Sequence, residues 1–215
     1  MKRRQLLQFG LGGIGIGLAG SAATALTCGI TPKQTAGPFY PVQDQNDKDT
    51  DLTKVKGHAQ NAKGTTVRIR GVVMDENCLP VKNAVVEIWQ ACHSGRYNHP
   101  LDEENENELD PHFQYWGIAV TDSQGEYSFK TIVPGSYLAA PGWTRPPHVH
   151  FKVHAMGYHE LITQMYFSGN SLNDVDNILQ ALTPEEQQRV VIDFKFDAME
   201  LMTVGQFDII LKKVL

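Results

Sequence analysis

The chain has 215 residues, 41% of them hydrophobic, and a formal charge of −5. That length holds one ordinary domain plus a terminal extension, with enough apolar side chains for a real core. The acidic balance gives no basic footprint for nucleic acid, and no interior run approaches the roughly 20 apolar residues of a membrane span.

Residues 1–25 read as an export signal. Lys2, Arg3 and Arg4 precede an apolar, glycine-rich run, and Ala23-Thr24-Ala25 forms an A-x-A cleavage site. Adjacent Arg3 and Arg4 point to the twin-arginine route, which places the mature protein in the periplasm or outside the cell. Residues 26–66, rich in Pro, Gly, Asn, Asp, Lys and Thr, read as an extended arm with little regular structure. Three cysteines (Cys28, Cys78, Cys92) permit one disulfide, and Cys92, inside a strand-like run, reads as a buried small hydrophobe.

The body, 67–215, is a succession of short β-type runs: Val67 to Met74, Ala84 to Ala91, Gly117 to Thr121, Glu126 to Thr131, His148 to His154, Leu161 to Phe167, Val190 to Phe196 and Phe207 to Leu211. This predicts an all-β fold, a sandwich of mostly antiparallel strands with long loops. The turns Asp122-Ser123-Gln124-Gly125 and Asp75 to Lys82 read as hairpin-like connections. Thr183-Pro184-Glu185-Glu186 offers a hydroxyl cap, a first-turn proline and a glutamate three residues after the cap, which predicts a helix. Asn173 to Leu182 reads as a second short helix. Asp102 to Asp110, with six carboxylates in nine residues, reads as a solvated loop without calcium-loop spacing.

The chemistry concentrates in Arg145-Pro146-Pro147-His148-Val149-His150-Phe151. On a strand, residues i and i+2 share a face, so His148 and His150 point at one place while Val149 and Phe151 point into packing. Histidine pairs of this kind also occur on ordinary solvated strands and in cupins, and a cupin-like metalloenzyme stays open as a reading. The glutamate that cupins place four residues after the second histidine is replaced here by His154. The remaining histidines, His58, His93, His99, His112, His154 and His159, read as surface or locally hydrogen-bonded residues.

Two tyrosines follow small lead-ins, Gly95-Arg96-Tyr97 and Pro134-Gly135-Ser136-Tyr137. A lone tyrosine is ordinarily a core or edge residue. These two stand in an ordered series with Trp89-Gln90-Ala91, Thr121-Asp122, Gly125-Glu126-Tyr127-Ser128-Phe129 and the Arg-Pro-Pro-His-Val-His segment. With that series the sequence resembles the intradiol ring-cleavage dioxygenases, the protocatechuate 3,4-dioxygenase beta-subunit type in particular, from about Thr31 to the C-terminus.

The resemblance implies a non-haem Fe(III) site with Tyr97 and His148 equatorial, Tyr137 and His150 axial, and a hydroxide as fifth ligand. It implies cleavage of a catechol-type ring by O2 between its two hydroxyl-bearing carbons, giving a muconate-type diacid. Tyr137 would be the displaceable ligand and base for one substrate proton, Arg145 would stabilise negative charge on the ring, and Gln164 would line the site. Gly37 and Pro38, in Gln34-Thr35-Ala36-Gly37-Pro38-Phe39-Tyr40, match an element lining the substrate cavity, and Arg96 and Trp89 read as supports. Ala139 stands where the family type has a tryptophan, with Trp143 a substitute from the loop. The implied partners are a small aromatic diol and O2, with self-association or a second related subunit. A non-enzymatic transthyretin-like binding module is the other alternative left open.

Overall fold

The computed structural model describes residues 28–45 and 47–214. The expected export signal therefore lies outside the described residues. The strands are β1 (Thr66–Asp75), β2 (Val85–Trp89), β3 (Trp116–Val120), β4 (Glu126–Ile132), β5 (Tyr137–Ala140), β6 (Trp143–Arg145), β7 (His148–His154), β8 (Leu161–Phe167), β9 (Val191–Ile192), β10 (Phe194–Asp197), β11 (Met202–Gln206) and β12 (Ile209–Leu211). Among the described residues one α-helix, α1 (Pro184–Val190), sits between β8 and β9. No helix among the described residues is long and apolar enough to cross a membrane.

Two five-stranded sheets face each other. One has the order β3-β2-β7-β8-β9; the other runs β10-β11-β1-β12, with β4 also paired to β1. The long strand β1 is antiparallel to β4 but parallel to β11 and β12 in turn, and β8–β9 is parallel too. The sandwich is thus more mixed than alternation alone suggests. Val67, Ile69 and Phe129 from one sheet meet Val86, Ile88, Val149, Phe151 and Met165 from the other, all fully or nearly fully buried. Burying one such side chain contributes about 1.5–3 kcal/mol.

Several expectations change. The two turns read as hairpins instead carry the chain from one sheet to the other, because β1 with β2, and β3 with β4, belong to different sheets. Asp122 Oδ1 accepts from the N–H groups of Gln124 and Glu126, so its side chain shapes that corner. The run Val190 to Phe196 divides: α1 ends at Val190, and β9 and β10 pair in different sheets. The segment before α1 forms only a 3₁₀ turn at Ser171–Val175. Three strands, β5, β6 and β11, lay outside the expected set. They are short and contain Gly, Thr or small residues that carry no alternating pattern.

The helix start is as expected, with a complete capping box between Thr183 and Glu186. Cys28 and Cys78 form a disulfide, and Cys92 is a buried free thiol. The arm has no strand of its own, yet it is tightly held. Thr31 N–H donates to Ile210 O, Gln34 N–H to Ile162 O, and Leu52, fully buried, joins the core.

Candidate active site

Strand β7 turns two faces to two tasks. Val149, Phe151 and Val153 point into the core, opposite Met165, Thr163 and Leu161 of β8. His148 and His150 point outward, opposite Tyr166 and Gln164 of β8, with Trp89 of β2 on the other flank of His150. Trp89 stacks on His150 at 4.8 Å and 10° between planes, which holds that imidazole flat. His148 Nδ1 lies 2.7 Å from Pro146 O. A carbonyl only accepts, so Nδ1 carries the proton and Nε2 is left as a lone pair.

Tyr97, on a loop, and Tyr137, at the start of β5, follow two loop segments that interlock through two glycines. Gly95, at φ +86, lies so close to the second loop that a Cβ there would fall 2.2 Å from Ser136 O; one on Gly135 would fall 2.4 Å from Gly95 N. No other residue permits this approach. Asp102, buried at the start of the acidic loop, accepts the Tyr97 N–H at 2.7 Å, and Arg96 donates to the carbonyls of Glu103 and Asn107. The acidic segment is a loop as expected, and its work is to hold the tyrosine.

The result is a closed circuit of four rings. Centroids are 5.6 Å apart for Tyr97–Tyr137, 5.7 Å for Tyr137–His148, 4.9 Å for His148–His150 and 6.4 Å for His150–Tyr97. The Tyr97 hydroxyl, His148 Nε2 and His150 Nδ1 are buried without a hydrogen-bond partner. Buried polar atoms are nearly always paired, so the Tyr97 hydroxyl and His148 Nε2, both on rings of this circuit, call for a partner.

Electrostatics suit a cation. Burial, followed by the Arg145 charge, holds His148 well below the usual histidine range and His150 down to about 3, so both imidazoles are neutral donors. Burial likewise raises Tyr97 well above 10 and raises Tyr137, so without a metal both phenols keep their protons. Among the described residues no group of three or more His, Cys, Asp or Glu is placed to hold a metal, so an ion here needs the phenol oxygens. Two neutral nitrogens and two hard anionic oxygens fit a ferric ion.

Arg145 lies beside this circuit, 3% exposed, held through its Nε and Nη2. Its Nε donates to Asp176 Oδ2 at 2.7 Å, and its Nη2 to Gln164 Oε1 at 2.8 Å and to the Tyr166 hydroxyl at 3.2 Å. Asp176 is itself fixed by the N–H groups of Ile178 and Leu179. The arm completes the roof. Gln34 donates to Thr163 Oγ1 and Gln164 O, Phe39 stacks on Tyr97 at 4.5 Å, and the Gly37 Cα faces the His150 ring.

The family described as Dioxygenase matches residues 35–213. The protocatechuate 3,4-dioxygenase beta chain of Burkholderia cepacia is 37% identical over 81% of this chain and 76% of its own length.

The chain belongs to the intradiol ring-cleavage dioxygenases.

The alpha chain of the same enzyme from Pseudomonas putida is 28% identical over 83% of this dioxygenase and 90% of itself. Catechol 1,2-dioxygenase 2 of Acinetobacter lwoffii is 34% identical over 66% of this chain, which spans about half (53%) of that relative. Among solved structures, the dioxygenase domain of a dioxygenase carbohydrate-binding protein fusion from Streptomyces sp. SirexAA-E gives a TM-score of 0.63 at 26% identity, covering 86% of this chain and 100% of that one. This intradiol dioxygenase opens a catechol-type ring between its hydroxyl-bearing carbons, in a family that uses non-haem iron. Membership sets aside the cupin-like and transthyretin-like readings.

Of the residues expected in the dioxygenase site, Tyr97, Tyr137, His148, His150, Arg145, Gln164 and Gly37 converge. Pro38 follows Gly37 on the exposed side of the arm. Trp143 lies against Arg145, 5.6 Å from its guanidinium, half-buried on the β5–β6 hairpin. Asp176, Tyr166 and Asp102 were not expected. Nothing local marks Asp176, whereas Tyr166 stands two residues after Gln164 on β8 and so shares its face.

Proposed function

We propose that this dioxygenase holds Fe(III) through Tyr97, Tyr137, His148 and His150 and opens a small catechol-type substrate, protocatechuate-like or another catechol, to a muconate-type diacid. The observation that carries the proposal is the closed circuit of four rings with the Tyr97 hydroxyl and His148 Nε2 buried and unpaired. When bound, the ferric ion supplies Lewis-acid charge that stabilises the catecholate and draws electron density from its ring.

The chain's own groups do the rest. Trp89 and Pro146 O fix the two imidazoles. Tyr97, stacked under Phe39 and anchored through Asp102, would hold the ion as a phenolate. Tyr137, at 8% exposure, would hold the ion as a second phenolate and be the group to take one substrate proton at its hydroxyl oxygen. Arg145, locked by Asp176 and Gln164, presents fixed positive charge toward the substrate ring. Gly37 and Pro38 of the arm, and Trp143 beside Arg145, bound the space the ring enters.

The purified protein is then coloured, since phenolates on ferric iron absorb visible light, and adding catechol without O2 shifts the band. A protein that stays colourless after iron loading overturns the proposal. Turnover of catechol, protocatechuate and hydroxyquinol, with product identification, assigns the substrate. The Streptomyces relative, a fusion with a carbohydrate-binding protein from a cellulolytic bacterium, makes phenols from plant material the first to screen.

Export by the twin-arginine route is part of the same proposal. The Cys28–Cys78 disulfide supports it, because such bonds persist in oxidising compartments. Cell fractionation with N-terminal sequencing of the mature chain tests it. Assembly as a homo-oligomer or with a second related subunit is read by light scattering of the purified chain.

A further inference from the structure

Away from the four-ring circuit, a second pair of histidines meets at the surface. His58 sits in a turn of the arm, its N–H donating to Val55 O; His112 sits in the loop before β3, its N–H donating to Asp110 Oδ1. Their Nδ1 atoms are 3.1 Å apart, and the rings stand at 83° with centroids 5.1 Å apart.

Two imidazole nitrogens bound to one cation at about 2.0–2.1 Å are separated by about 2.9 Å at a right angle and about 3.4 Å at a tetrahedral one. The observed separation falls between these limits. The arrangement also repeats that of His148 and His150, whose centroids are 4.9 Å apart at 73°. As a bare pair of neutral rings, one Nδ1–H donates to the lone pair of the other Nδ1; a cation takes the place of that proton and binds both lone pairs.

We propose that His58 and His112 form a second metal site, for a borderline divalent cation such as Zn2+ or Cu2+, completed by water on the exposed side. The cation clips the arm to the loop that leads into β3. It reinforces an existing tie, because Lys63 N–H of the arm donates to Asp110 Oδ2 at 2.7 Å, two residues before His112. Neither histidine touches the four-ring circuit, so the site is structural rather than part of ring cleavage.

The test is zinc chloride titrated by calorimetry into the full-length, iron-loaded protein and into His58→Ala, His112→Ala and the double variant. The wild type takes up one more zinc per chain than the double variant. Each single variant binds that zinc at least ~10-fold more weakly, the least a lost ligand produces given what outer partners of metal ligands contribute. Zinc raises the melting temperature of the wild type and not of the double variant, while ring-cleavage rates stay equal. Equal zinc uptake by wild type and double variant overturns the proposal. Because the readout is a difference between proteins with the same four-ring site, it holds whatever that site binds.

Discussion

His148 and His150 stand two residues apart on β7, and the pleat of one strand alone puts their rings side by side. Tyr97 stands on an irregular loop and Tyr137 at the first residue of β5, and they meet only because Gly95 and Gly135 let the segments before them touch backbone to backbone. One half of the site is thus as stable as the sandwich, since the same strand buries Val149, Phe151 and Val153. The other half depends on two positions where a single methyl group has no room. A site built this way keeps its nitrogens rigid and concentrates its vulnerability, and its capacity for change, in the oxygens.

The sharpest way to break that asymmetry is Gly135→Ala. The added Cβ meets the backbone at Gly95 N, His93 O and Ser94 C, so the loops separate, at about 1–3 kcal/mol of stability. Displacement of about 1 Å at a reacting centre lowers turnover ~100-fold, and kcat/KM is expected to fall by at least that much while the melting transition stays cooperative. A variant that keeps full activity shows that the interlock is not what brings the tyrosines together.

Asp176→Asn probes the strand-borne half. It leaves the shape but removes the charge that compensates buried Arg145, and breaking such a pair costs up to about 3–5 kcal/mol. We expect roughly a tenfold loss of kcat, with Asp176→Glu recovering part of it, and a weaker visible titration with catechol in the absence of O2. Unchanged catechol affinity and kcat mean that Arg145 needs no partner.

Gly37→Ala tests the roof. The residue has φ +66 and its Cβ would lie 3.4 Å from His150 Cε1, so the strain is about 1–2 kcal/mol and the contact is tight but not forbidden. KM should rise a few-fold with kcat nearly constant; a kcat effect alone would place the arm in the chemistry rather than in substrate entry.

The smallest effect on turnover is expected from Cys28→Ser with Cys78→Ser. The disulfide closes a loop of 50 residues, and losing it should lower stability by about 2–4 kcal/mol. Gln34, Tyr40 and Leu52 still pin the arm, so activity at 25 °C stays within a factor of two.

How legible this was in the chain follows the same division. The sandwich and its core strands show in period-two alternation, and β7 and β8 have the expected ends because both faces are buried and the turns beside them are strong. The histidines follow from i, i+2 geometry. The tyrosines do not: no local pattern says that Gly95 and Gly135 touch, and only the family resemblance pointed to Tyr97 and Tyr137. Asp176 is invisible for a related reason, since its partner Arg145 lies on another element and no spacing rule connects them. The corner at Asp122 looked like a hairpin because an Asx turn joins strands in the same way whether they then pair or part.

Strand β7 also explains how a family like this can diversify. Its inward residues answer to folding and its outward ones to chemistry, and the roof over the outward ones is a segment with no strand of its own, attached by a handful of hydrogen bonds. Selection for a new aromatic substrate can rewrite that roof and the exposed residues 138–142 of the β5–β6 hairpin beside it without altering a core side chain of the sandwich. The cost of exploring new chemistry is then charged to the periphery, and the fold is free to stay as it is.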